Sequence, residues 1–122
     1  MARRDIAGAV DFAHLESYAA GDQALVDEVL GLFREQAVLW MRLIDPESPA
    51  GGFRDGAHTL KGASLGVGAF ALAKACEAAE AGAGLDIPQK TLLAERVRDA
   101  LDVALADIAA YAHEQALKSL RG

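Results

Sequence analysis

The spacing of apolar residues on either side of Gly68 narrows the fold more than any other feature. Upstream, Phe53, Ala57, Leu60, Ser64 and Val67 fall in one stripe when the chain is turned by about 100° per residue. Downstream, Ala69, Leu72, Cys76, Ala79 and Ala83 alternate steps of three and four, the seam of a helix packed antiparallel against a neighbour. Two helices joined by a tight turn at Val67-Gly68 satisfy both patterns. No segment alternates with the period of a strand, so the chain reads as all-α.

The remaining segments supply partners for that pair. A short helix is expected over about Phe12 to Ala20, ended by Gly21-Asp22, with Asp22 as the N-cap of a long helix to about Leu43. The stripe on that helix reads Leu25, Val29, Leu32, Phe33, Trp40 and Leu43, with Phe33 and Trp40 as core residues. Asp45 to Gly52 reads as a loop, and the next helix runs from about Phe53 to Gly66. Gly82 to Pro88 closes the helix after Gly68, and Pro88 suits the first turn of a last helix over about Gln89 to Leu120. That helix turns Leu93, Val97, Leu101, Ala104, Ile108 and Tyr111 inward. The sum is an antiparallel up-down-up-down four-helix bundle with a short additional N-terminal helix. Residues 1–122 make a single domain, in which 1–10 are expected to be a flexible N-terminal segment.

Composition excludes several functions. The 122 residues are enough to bury one core and not two. Eighteen acidic residues against 12 basic ones give a net charge of −6, which opposes binding to nucleic acid or to an anionic membrane surface. Only Arg3-Arg4 cluster tightly, at a terminus expected to fray. A single cysteine rules out an internal disulfide and a cysteine-rich metal site, and fits a reducing compartment. No stretch approaches the roughly 20 apolar residues of a membrane span, and the opening residues carry no signal peptide. The expectation is a soluble, cytoplasmic, monomeric protein.

The chemistry concentrates on the helix before Gly68. His58, Lys61, Gly62 and Leu65 lie together on its flank and outer side, away from the buried stripe. Gly62 and Gly66 each cost about 1 kcal/mol against alanine in a helix interior. Two such costs on one short helix imply that a large partner must approach the imidazole closely. A neutral imidazole offers a lone pair near neutral pH without a separate base. Phosphoryl transfer to it needs in-line positioning and charge stabilisation, and Lys61 suits the second role. Leu65 offers apolar contact to a partner and Arg54 a charge at the rim. The chain has no Walker-type loop, no kinase ATP-binding pattern and no acidic triplet for magnesium, so phosphoryl group and metal must come from another protein.

Other residues carry plainer readings. His14 and His113 lack a supporting constellation. Cys76 lies on the core seam, as a small buried apolar side chain. Glu35-Gln36 and Glu77-Glu80 are solvated edges, although Gln36 and Glu80 are within reach of the His58 neighbourhood. A metal or cofactor bundle would need inward Glu-x-x-His pairs, which are missing.

The segment from Ala57 to Glu80 resembles the histidine-containing phosphotransfer (HPt) domain of phosphorelays, with His58, Leu60, Lys61, Gly62, Gly68, Ala69, Leu72, Cys76 and Glu80 at family spacing. Asp11 to Leu43 is similar to that family's first half. The resemblance implies a four-helix bundle whose His58 accepts a phosphoryl group from a receiver-domain aspartate and hands it to another receiver. Receiver domains of response regulators or hybrid histidine kinases are the implied partners, with magnesium on the receiver and no cofactor on this chain. Lys61 would be the charge partner, Gly62 the residue that clears the approach, and Glu80 a supporting residue where the family often has glutamine. Two departures stand out: Ala63-Ser64 places serine second, and Ala79 replaces a larger aliphatic, which predicts a looser seam. The rival reading is a non-catalytic module that docks a receiver or histidine kinase.

Overall fold

The computed structural model describes residues 8–121, which form five helices and no strand: α1 (Phe12–Tyr18), α2 (Gln23–Leu43), α3 (Ala50–Val67), α4 (Phe70–Ala81) and α5 (Ile87–Leu120). Three of them open on an aspartate. Asp11, Asp22 and Asp86 accept from the backbone amides of His14, Leu25 and Gln89 at 3.1, 3.2 and 3.0 Å. Each bond satisfies an amide that the first helical turn leaves without a partner. Pro88 occupies the first turn of α5, where its missing N–H costs nothing. The bundle is α2 to α5, with α1 laid against α2 and α3.

The core takes one face from each long helix. Phe53, Ala57, Leu60, Ser64 and Val67 of α3 are all buried, as their spacing requires. Phe53 and Leu60 have no exposed surface, and burial of side chains of this size stabilises by about 1.5–3 kcal/mol each. Leu72, Cys76 and Ala79 of α4 face them, flanked by buried Ala69 and Ala83 just outside that helix. Ala79, where a looser seam is expected, is fully buried. From α5 come Val97, Leu101, Ala104, Ile108 and Tyr111, with Leu93 at the edge.

Three expectations need correction. On α2 the buried residues are Val26, Leu30, Phe33, Ala37 and Met41, whereas Leu25, Leu32 and Leu43 are exposed. Apolar side chains cover so wide an arc of α2 that two stripes fit a helical period, and the core selects the one containing small Ala37. Phe33 is core as expected, and Val29 and Trp40 pack against its edge. The loop after α2 is shorter than its glycines implied: α3 begins at Ala50, with the Phe53 amide bonded to the Pro49 carbonyl at 3.1 Å. Anchoring Phe53 in the core winds the preceding Gly51-Gly52 into the first turn. Residues 1–7 of the expected flexible segment, with Arg3-Arg4, lie outside the described residues. Ala9 and Val10 are docked instead, for Val10 is buried and the two amides donate to the buried Asp107 carboxylate at 2.6 and 3.3 Å.

Two glycines place the helix that carries His58. At Gly56 an added Cβ would come within 2.7 Å of Leu43 Cβ and 3.3 Å of the Trp40 carbonyl, so glycine lets α2 and α3 approach closely. At Gly68 the backbone is left-handed, with φ of 83°. Its amide bonds to the Leu65 carbonyl and the Ala69 amide to the Ser64 carbonyl, at 3.2 and 2.8 Å, which is a Schellman closure. The Asp11 amide then caps the turn by donating to the Gly68 carbonyl at 2.9 Å. No helix of the described residues is long and apolar enough to cross a membrane.

Candidate functional site

Because α3 and α4 run antiparallel from the Gly68 turn, residues about equally far from it face each other across the seam. His58 and Lys61 on α3 thereby meet Glu80 on α4. His58 Nδ1 lies 2.8 Å from Glu80 Oε2, and Lys61 Nζ donates to Glu80 Oε1, also at 2.8 Å. One carboxylate thus joins both residues, with one oxygen for each.

Exposure separates their roles. The His58 side chain is 67% exposed, whereas those of Lys61 and Glu80 are each 24% exposed. A ring so open is not enclosed by the residues around it. Lys61 and Glu80 are half-sunk beside it, where a charged hydrogen bond is less weakened by water than on an open surface.

The electrostatics follow from the contacts. The hydrogen bond from Lys61, and then that with His58, hold the Glu80 carboxyl below the usual glutamate value against the opposing effect of burial. The bond to Glu80 holds the Lys61 ammonium above the usual lysine value, also against burial. Glu80 is therefore an ionised acceptor at neutral pH. An ionised carboxylate has no hydrogen to give, so the Nδ1 contact requires the ring to donate N–H there. In the neutral ring that leaves the lone pair on Nε2.

The outer face of α3 is bare next to the ring. Gly62 and Gly66 are exposed, and an added Cβ at either would meet nothing within 4 Å. The packing of this chain gives no reason for glycine at either position, in contrast to Gly56. Leu65 is 47% exposed beside them, and Arg54 is exposed one turn before His58. Under the site, Cys76 is fully buried, and burial pushes its thiol up to about 12 despite the nearby Lys61 charge.

Of the residues singled out in the sequence, His58, Lys61 and Glu80 come together, and Gly62, Leu65 and Arg54 share the exposed surface around them. Gln36 is exposed on α2, and among the described residues the hydrogen bonds of His58 and Lys61 run to Glu80 instead. Gly56 was not singled out, although its place beside Phe53, Ala57 and Leu60 in the buried stripe was a usable signal. His14 packs edge-on to Tyr18 and Phe70, with ring centroids 4.9 and 5.5 Å away, and belongs to the α1 contact. Among the described residues no three His, Cys, Asp or Glu side chains group so as to hold a metal ion.

No family profile and no curated protein matches the sequence. Among solved structures, the histidine phosphotransferase ShpA from Caulobacter crescentus is 60% identical to it. The match spans 93% of this chain and 99% of that one, with a TM-score of 0.77.

Proposed function

This chain belongs to the histidine phosphotransferase family, and from that membership we propose that it is a phosphorelay intermediate working through His58. A receiver domain presents an aspartyl phosphate to the exposed ring. Nε2 attacks phosphorus, the phosphorus–oxygen bond to the aspartate breaks, and the aspartate leaves as a carboxylate. Handing the group to another receiver is the reverse reaction. The contact of His58 Nδ1 with Glu80 Oε2 at 2.8 Å carries this reading, because it leaves the nucleophilic lone pair on the exposed nitrogen.

The neighbours have distinct roles. Lys61 neutralises Glu80 at rest and supplies positive charge beside the phosphoryl oxygens during transfer. Gly62 lets the partner's backbone and the phosphoryl group come close to the ring. Leu65 and Arg54 give the receiver an apolar contact with a charged rim. Magnesium for the chemistry belongs to the receiver. The protein is a stoichiometric carrier with no ATP chemistry of its own. The docking-module reading gives no reason for a tautomer-fixing carboxylate behind an exposed imidazole.

The test mixes a receiver domain bearing labelled phosphate with this protein and with its His58→Gln variant. Alkali-stable, acid-labile label should pass to the wild type alone. Equal labelling of the variant would remove His58 from the account.

A further inference from the structure

Within the bundle, α2 packs against α3 and α5, and α4 packs against the same two helices, so the α2–α5 groove lies across the molecule from the seam that holds His58. Three cavities of about 520, 530 and 540 Å³ follow one another along this groove, over Leu30 and Leu105. From α2 it is lined by Asp27, Gly31, Arg34, Glu35, Val38 and Arg42, a stripe one residue beyond the buried one. Val38 is 44% exposed. An added Cβ at Gly31 would meet nothing within 4 Å, so the chain's own packing gives no reason for a residue that disfavours a helix interior. Asp27 accepts from the Gln23 side chain at 2.9 Å, but among the described residues Asp27, Arg34, Glu35 and Arg42 form no ion pair. With Arg98 and Asp102 of α5 and Asp45 after α2, the groove carries three basic and four acidic groups.

We infer that a second copy of this chain docks in the α2–α5 groove, with the two α2 helices antiparallel about a two-fold axis between Arg34 and Glu35. Residues equally far from that axis then meet. Arg34 faces Glu35 of the second copy, Asp27 faces its Arg42, and Gly31 makes room for its Val38. Every charge on the stripe finds the opposite sign, and the axis repeats each contact. A shift of one heptad destroys the match. With the axis at Val38, Arg34 meets Arg42; with the axis at Gly31, Asp27 meets Glu35. The stripe holds two acids and two bases and is neutral, whereas a chain of net charge −6 repels its copies on most approaches. Both His58 sites face away from this interface. A weak, salt-sensitive dimer thus takes the place of the monomer expected from the sequence, whatever chemistry His58 performs.

The experiment is sedimentation velocity of the full chain over a range of concentrations at low salt. The mass should rise from 12.8 kDa toward twice that value, and added salt should lower it again. Arg34→Glu or Glu35→Arg alone sets like charges face to face twice in each dimer, and each should weaken association by about tenfold. The double swap restores opposite signs and should recover the wild-type affinity. Both side chains are exposed, so melting curves should coincide. Should either variant unfold, Asp27→Arg with and without Arg42→Asp tests the same axis at its ends. In parallel, the Gly31 amide resonance should shift as the protein is concentrated. A wild type that keeps the monomer mass at every concentration would overturn the inference, as would a double swap that associates no better than the single ones. A Gly31 resonance that moves with an added receiver domain and not with self-concentration would assign the groove to the receiver, and overturn it likewise.

Discussion

His58 Nδ1 and Glu80 Oε2 stand 2.8 Å apart across the seam of α3 and α4, although 22 positions separate them in the chain. That contact makes the exposed histidine directional, since it fixes which nitrogen bears hydrogen and which keeps the lone pair. Lys61 on the other carboxylate oxygen makes the arrangement electrically tolerable.

The cluster should respond to acid from the carboxylate side. The folded value of Glu80 lies below its ordinary one, so its stabilising contribution is complete above about 4.3 and is lost as pH falls through the lower folded value. The Lys61 value is raised, so its share is complete below about 10.4 and is lost only as pH rises through the higher folded value. The contacts therefore persist across neutral pH. Carbon NMR of the Glu80 carboxyl should give a midpoint below that of an ordinary glutamate, and Lys61→Met should raise it. A midpoint at the ordinary value in the wild type would mean that the contacts do not form in solution.

Gly62→Ala should separate stability from function. No atom meets the added methyl, and alanine favours the helix by about 1 kcal/mol, or roughly 4 °C in melting temperature for a chain of this size. Phosphoryl transfer from a receiver should nevertheless slow, because the methyl stands where the partner approaches. Thermal unfolding alongside transfer rates checks both halves; a stabilised variant with unchanged rates would refute the clearance argument.

The same substitution at Gly56 should behave oppositely. There the methyl meets Leu43 Cβ at 2.7 Å, and overpacking of this kind costs about 1–3 kcal/mol. Denaturant unfolding should show the loss. An unchanged midpoint would mean that α2 and α3 can part without cost.

These glycines show how unevenly the sequence could be read. The bundle was legible because α3, α4 and α5 each repeat one apolar stripe and because Asp22, Gly68 and Pro88 mark helix ends. The phase of α2 was not, since Leu25, Leu32 and Leu43 satisfy a helical period as well as the residues that are buried, and only packing breaks the tie. His58 with Lys61 and Gly62 was visible as a local pattern on one helix. The Glu80 contact depends on how α4 is set against α3, which spacing within either helix does not specify. Ala9 and Val10 are fixed by Asp107, almost a hundred residues away, and no local signal marks those bonds.

Leu65→Glu should weaken receiver binding and leave the fold intact. Leu65 is 47% exposed, and surface substitutions away from caps and buried networks usually change stability by less than about 0.5 kcal/mol. Titration with a receiver, together with a melting curve, tests this. Unchanged affinity would shift the docking surface away from Leu65.

Cys76 should be inert while the protein is folded. Its thiol is fully buried and pushed up to about 12, so almost none is thiolate near pH 8. A thiol reagent should react at the rate of opening of the bundle and accelerate in denaturant. Rapid stoichiometric labelling of the native protein would contradict the packing of the α3–α4 seam.

The most direct test of the central claim is to phosphorylate the nitrogen-15-labelled protein from a receiver and record which nitrogen couples to phosphorus. Coupling to Nε2 of His58, with Nδ1 still bearing hydrogen, is the predicted result. Phosphorus on Nδ1 of that ring, or on His14 or His113, would contradict the account.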